Sequence, residues 1–89
     1  MDTLLVAKSA GALSDKYRLN IVLALSQQES MPFADVQQLT GLSQPCVSHH
    51  LKILTDSGLV QTRKCGRCLS LMLNREAMGE LASFLRNLG

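Results

Sequence analysis

Leu42-Ser43-Gln44-Pro45-Cys46-Val47-Ser48-His49-His50-Leu51-Lys52-Ile53-Leu54-Thr55-Asp56-Ser57-Gly58-Leu59-Val60 is the stretch that decides the fold. At about 100° per residue, Val47, Leu51 and Leu54 share one narrow arc. Pro45, Ser48, His49, Lys52 and Asp56 lie on the other side. Ser43 is a good N-cap, Pro45 falls in the first turn, where a missing N–H is tolerated, and Gly58 ends the run. The stretch therefore predicts an amphipathic helix from Gln44 to Asp56 or Ser57. The N-terminal half of its open face is short and polar.

Base edges in a major groove are read by directional donors and acceptors. Gln44 suits adenine, Ser48 suits several bases, and His49 suits a base acceptor or a phosphate. Lys52, one turn further on, suits a phosphate, as does Ser43 with the helix N-terminus. An ordinary amphipathic surface helix has the same pattern, so the flanking segments decide between the two. His50 sits at the edge of the apolar arc and reads as a packing histidine hydrogen-bonded to a neighbour.

Upstream, a short helix from about Ala34 to Thr40 places Val36 and Leu39 inward and ends at Gly41. Glu29-Ser30-Met31-Pro32 interrupts the helical pattern, because Pro32 has no N–H to continue a helix. Before it, Ser14 or Asp15 caps a helix from about Lys16 to Gln27, with Leu19, Val22, Leu23 and Leu25 on its apolar face. Thr3 to Ala12 is loosely helical. Downstream the period changes. Leu59 to Lys64 is β-capable, Cys65-Gly66 supplies a turn, and Leu69, Leu71 and Leu73 alternate on one face of a second strand. Asn74 then caps a final helix from Arg75 to Leu88, with Met78, Leu81, Ala82, Leu85 and Leu88 in a stripe.

The resulting fold class is mainly α with a small β-hairpin: a winged helix-turn-helix of five helices plus a two-stranded wing, read as one domain over residues 1–89. Arg63, Lys64 and Arg67 surround the wing tip, where cations reach a flanking minor groove or the backbone. Solubilising charge on a turn is the plainer alternative.

Composition bounds the rest. The 89 residues are 46% hydrophobic, with a formal net charge of only +2. Residues 43–68 hold four cations against Asp56, while the remainder is slightly acidic, so a local basic patch sits on a near-neutral body. So much apolar surface on a small chain points to a subunit interface. The stripe from Met78 to Leu88 has few partners within one small subunit and is its candidate. Three cysteines, an odd count at low density, do not make a secreted disulfide framework. No apolar run has the length of a membrane span. A cytoplasmic location is the simplest expectation. No nucleophile–base pair, Gly-rich phosphate loop or complete metal-ligand set appears, so an enzyme is not expected.

Residues 42–60 resemble the recognition region of the ArsR/SmtB family of bacterial repressors, which reads L-S-Q-P-x-V-S-x-H-L-x-x-L-x-x-x-G-L-V. Arg63-Lys64-Cys65-Gly66-Arg67 is similar to that family's R-K-x-G-R wing tip. Leu13 to Val22 is similar to its L-x-D-x-x-R-L-x-I-L helix start. The resemblance implies a homodimer held by the first and last helices, through Leu4 and Leu5 at one end and Met78, Leu81, Leu85 and Leu88 at the other. It also implies repression at a double-stranded DNA operator with imperfect two-fold symmetry, relieved by an effector.

The chain departs from that family's metal patterns. Its C-V-C-D-L thiolate motif is matched by Pro32-Phe33-Ala34-Asp35-Val36, which has no thiol. Residues 75–88 offer Glu76 and Glu80 but no His or Asp, a poor set for a transition metal. No cofactor is expected, unless a soft metal ion binds the cysteines. Cys65-x-x-Cys68 on the wing and Cys46 in the first turn of the recognition helix are the remaining sensing candidates, by oxidation or soft-metal binding. Incidental cysteines are the alternative. A winged-helix protein–protein module, or a regulator without its own sensor, is the competing function.

Overall fold

The computed structural model describes residues 2–89. Five helices, α1 (Thr3–Ala12), α2 (Lys16–Ser26), α3 (Phe33–Thr40), α4 (Gln44–Asp56) and α5 (Arg75–Arg86), combine with strands β1 (Met31–Pro32), β2 (Val60–Cys65) and β3 (Cys68–Leu73). The helix starts follow from their caps. Asp2 accepts from the Leu5 N–H at 2.8 Å, Asp15 from Tyr17 and Arg18, and Asn74 from Ala77, each satisfying donors the first turn leaves open. Ser14 does not cap α2; its hydroxyl donates back to the Gly11 carbonyl at 2.6 Å and closes α1.

One correction concerns the sheet. It has three strands, not two, in the order β1-β3-β2, all antiparallel. Met31 pairs with Leu71 and Pro32 with Ser70. Two residues are too few to show an alternating period, so this strand is invisible to pattern reading. Met31 is drawn in by burial of its side chain. Pro32, which cannot donate to a ladder, is tolerated because β1 lies at the sheet edge.

The core is built from Ala12, Ile21, Val22, Leu25, Met31, Val36, Val47, Leu51, Leu54, Leu59, Val60, Leu71 and Leu81. A second correction concerns α2 and α3. Leu19 and Leu23 are 41% and 55% exposed and Leu39 is 48% exposed, although the leucine pattern places them inward. On α2 the arc that meets α3, α4 and β3 is centred on Ile21, Val22 and Leu25, leaving Leu19 and Leu23 on its flank. Arg75 fastens α5 across α2, donating to the carbonyls of Ser26 and Gln28 at 3.2 and 3.3 Å. A cation is favourable at that helix C-terminus.

Candidate nucleic-acid interface

Three residues separate α3 from α4. Gly41 has φ +69°, a left-handed conformation that glycine adopts without strain, and its N–H returns to the Gln37 carbonyl at 2.9 Å. The Thr40 hydroxyl donates to the same carbonyl and accepts from the Leu42 N–H, which fixes the sharp bend. The chain then enters α4 at Ser43, whose side chain makes no capping bond. Its hydroxyl and the first N–H groups of α4 are therefore open.

Val47, Leu51 and Leu54 are buried, and Ser43, Gln44, Cys46, Ser48, His49 and Lys52 are exposed. The structure thus brings the predicted reading residues onto one free edge of a helix whose opposite edge grips the core. Lys52 is also held by Asp56, Nζ to Oδ2 3.4 Å, a contact absent from the sequence-level reading. Both groups are well exposed, so the pair is weak and competes little with a phosphate.

His50 does not lie on the free edge. The guanidinium of Arg18 meets its Nδ1 at 3.1 Å and donates to the Ala12 and Gly11 carbonyls at 2.8 and 3.4 Å. A guanidinium has only donors, so Nδ1 accepts and the ring proton belongs on Nε2. The 3.8 Å approach of Asp15 to the same nitrogen is a looser contact. Arg18 therefore joins the end of α1, the start of α2 and the middle of α4. Sequence alone assigns it no role beyond its place as the arginine of the L-x-D-x-x-R-L-x-I-L pattern. Its signal is that pattern, which sets the arginine three residues after the Asp15 cap. The Arg18 N–H bonded to Asp15 is the main influence holding that carboxyl below its ordinary value.

The wing follows directly. Ser57 and Gly58, the latter at φ +83°, turn the chain out of α4, and the buried Ser57 hydroxyl bonds the Leu54 carbonyl and the Leu59 N–H. Residues 61–68 are all exposed, including Arg63, Lys64 and Arg67. Cross-strand register sets Lys64 opposite Leu69 and Arg63 opposite Ser70. Strand alternation therefore sends Arg63 and Lys64 to opposite faces, while Arg67 occupies the turn.

The residues expected at a subunit interface divide. Leu4, Leu5, Leu85 and Leu88 are exposed and Met78 is half-buried, whereas Leu81 is only 5% exposed and belongs to the protomer's own core. Cys46, Cys65 and Cys68 are free and exposed. Among the described residues no three His, Cys, Asp or Glu side chains cluster as a metal site, and no helix is long and apolar enough to cross a membrane.

A tight helix–turn–helix with a β-hairpin leaving the second helix defines a winged helix-turn-helix. Residues 15–62 match the profile described as bacterial regulatory protein, arsR family, and the chain belongs to that family. It is 34% identical over 76 residues to a cadmium resistance transcriptional regulatory protein CadC homolog of Staphylococcus aureus, an alignment covering 85% of this chain and 63% of the relative. It is 44% identical over 64 residues to an arsenical resistance operon repressor of Staphylococcus xylosus, covering 72% and 61%. The chain thus spans less than two-thirds of the length of these relatives. A homodimeric winged helix-turn-helix DNA-binding domain from Mycobacterium bovis superposes with a TM-score of 0.77 at 25% identity, covering 94% of this chain and 77% of that one.

Proposed function

We propose that this protein is a sequence-specific, double-stranded DNA-binding transcriptional repressor that acts as a homodimer. The observation that carries the reading is the division of α4. Val47, Leu51 and Leu54 anchor it, while Ser43, Gln44, Ser48 and His49 stand free along its N-terminal half, with Lys52 one turn further on. Gln44, Ser48 and His49 read base edges in the major groove. Ser43, the open N–H groups of α4 and Lys52 hold phosphates. Arg63, Lys64 and Arg67 extend the contact along the flanking backbone or minor groove.

The exposed Leu4, Leu5, Leu85 and Leu88, with the half-buried Met78, support burial of α1 and α5 against a second copy. A two-fold pair sets the two α4 helices about one DNA turn, roughly 34 Å, apart. Curated relatives named for cadmium and arsenical resistance support an effector of soft, sulfur-seeking character.

The test is fluorescence anisotropy with the duplex upstream of the protein's own coding region and a scrambled duplex of equal length. Tighter binding to the first is expected, with affinity falling steeply as salt rises from phosphate neutralisation. Equal, salt-insensitive or absent binding favours the protein–protein module instead.

A further inference from the structure

α4 is held to the body in two ways. Val47, Leu51 and Leu54 are buried along one arc. Apolar burial has no preferred direction, so it fixes the depth of the helix more firmly than its rotation. Among the described residues, every polar contact that an α4 side chain makes with another element ends on Nδ1 of His50. The Arg18 guanidinium lies 3.1 Å from that atom and the Asp15 carboxylate 3.8 Å. Hydrogen bonds are directional, so this tie is what sets rotation. Arg18 is itself fixed, donating to the Ala12 and Gly11 carbonyls at the end of α1. The His50 side chain is only 15% exposed, so water is a poor substitute for Arg18.

A guanidinium only donates, so the tie exists only while Nδ1 keeps its lone pair. Protonation of the ring puts a donor on Nδ1 and sets one positive charge against another. The Asp15 carboxylate is already placed to accept from that new N–H. The Arg18 N–H is the largest influence holding this carboxyl below its ordinary value, so Asp15 is ionised wherever a histidine ordinarily titrates, at about pH 6.5. α1, α3 and β2 also pack against α4. Their charged side chains, Lys8, Asp35, Arg63 and Lys64, make no hydrogen bond or ion pair with the ring among the described residues. The Tyr17 and His49 rings lie 5.8 and 6.0 Å from it, and Lys16 stands over Tyr17 instead.

We propose that Asp15, Arg18 and His50 form a proton-operated latch on α4: neutral His50, held by Arg18, fixes the rotation of the helix for base reading, and protonated His50 turns to Asp15 and releases it. Arg18 and His50 are positioning residues, since neither stands on the free edge. Arg18 also grips the end of α1, a helix that the proposed dimer buries against a second copy. The latch therefore ties the rotation of α4 to the frame that spaces the two reading edges. Discrimination between duplexes falls as pH falls. Protonation of His49, on the free edge, adds attraction to phosphate and acts on every duplex alike. The inference rests on the DNA-binding function proposed above.

The test measures anisotropy with the upstream and scrambled duplexes between about pH 8 and about pH 5.5, at constant salt. It compares the full-length wild type with His50→Asn, His50→Leu and Asp15→Asn. Asn Oδ1 stands as many bonds from the backbone as Nδ1, accepts from Arg18 and does not titrate. His49 is common to all four chains, so its contribution cancels. Wild-type discrimination should drop about tenfold at the lower pH, the order of one lost hydrogen bond to a charged group. His50→Asn should hold the wild-type value of the higher pH throughout, and His50→Leu should show the reduced value throughout. Asp15→Asn, which keeps the cap, should move the drop to lower pH, because the protonated ring has lost its counter-charge. A His50→Asn profile equal to that of the wild type, or wild-type discrimination in His50→Leu, overturns the latch. An unshifted Asp15→Asn profile overturns Asp15 as the alternate partner. If His50→Leu does not fold, the wild type against His50→Asn decides alone. Absent duplex binding by the wild type at every pH sinks the proposed function, and hydrogen exchange then judges the latch. Protection of the α4 amides that falls with pH in the wild type but not in His50→Asn supports it, and equal protection in both overturns it.

Discussion

α4 carries one cation, Lys52, offset by Asp56, whereas the wing tip carries Arg63, Lys64 and Arg67, and the two regions are held in opposite ways. α4 is clamped by three buried aliphatic side chains and tied through His50 to the Arg18 network. Residues 61–68 are exposed throughout, and among the described residues none of their side chains makes a hydrogen bond or salt bridge. A side chain that discriminates between bases must arrive in a defined position, because a hydrogen bond fails within a fraction of an ångström or a few tens of degrees. A cation attracted to phosphate tolerates far more slack, because its energy falls off gradually with distance. Under the function proposed above, the clamped region would therefore supply specificity and the free one general affinity.

The hardest way to break this contrast is to loosen the clamp. Leu54→Ala should lower stability by about 2–5 kcal/mol, measured by urea unfolding. A cost comparable to that of an exposed site would mean that α4 is not held as described. Next comes the reading edge. Combined Gln44→Ala, Ser48→Ala and His49→Ala should cut discrimination between the upstream and scrambled duplexes by roughly ten- to a hundredfold, given about 1–3 kcal/mol for a good base contact. Unfolding midpoints should stay nearly unchanged, and a preserved preference would move specificity elsewhere.

The wing should behave differently. Arg63→Ala or Arg67→Ala should weaken binding to both duplexes alike and reduce the slope of log K against log salt by about 0.9 per lost phosphate contact. Loss of preference in these variants would erase the contrast. The smallest effect is at the Lys52–Asp56 pair. Asp56→Asn should change stability by less than about 0.5 kcal/mol and strengthen duplex binding slightly by freeing Lys52, as titration at low salt would register.

Legibility in the sequence followed the same physics. α4 was read to its boundaries because a long amphipathic period, a cap and a terminating glycine agree over thirteen residues. The alternation of Leu69, Leu71 and Leu73 likewise exposed β3. β1 was missed because two residues carry no period. Leu19, Leu23 and Leu39 depart from expectation because apolar identity does not by itself mean burial. α2 has a full apolar sector, and only its neighbours determine which part is covered. The role of Arg18 is not legible in the sequence because its partners are two carbonyls at the end of α1 and a ring 32 positions away.

Local chemistry alone thus determined the helix-turn-helix, the wing and the polar edge of α4, since periodicity, caps and turn glycines act over a few neighbouring residues. Tertiary structure decided the third strand, the true core face of α2, the retreat of Leu81 into the protomer's own interior, and the bond from Arg18 to His50. It also set Cys65 against Cys68 beside a cavity whose other wall comes from residues 32–34. Those outcomes depend on which surfaces meet when distant segments pack, and no short window of sequence contains both partners.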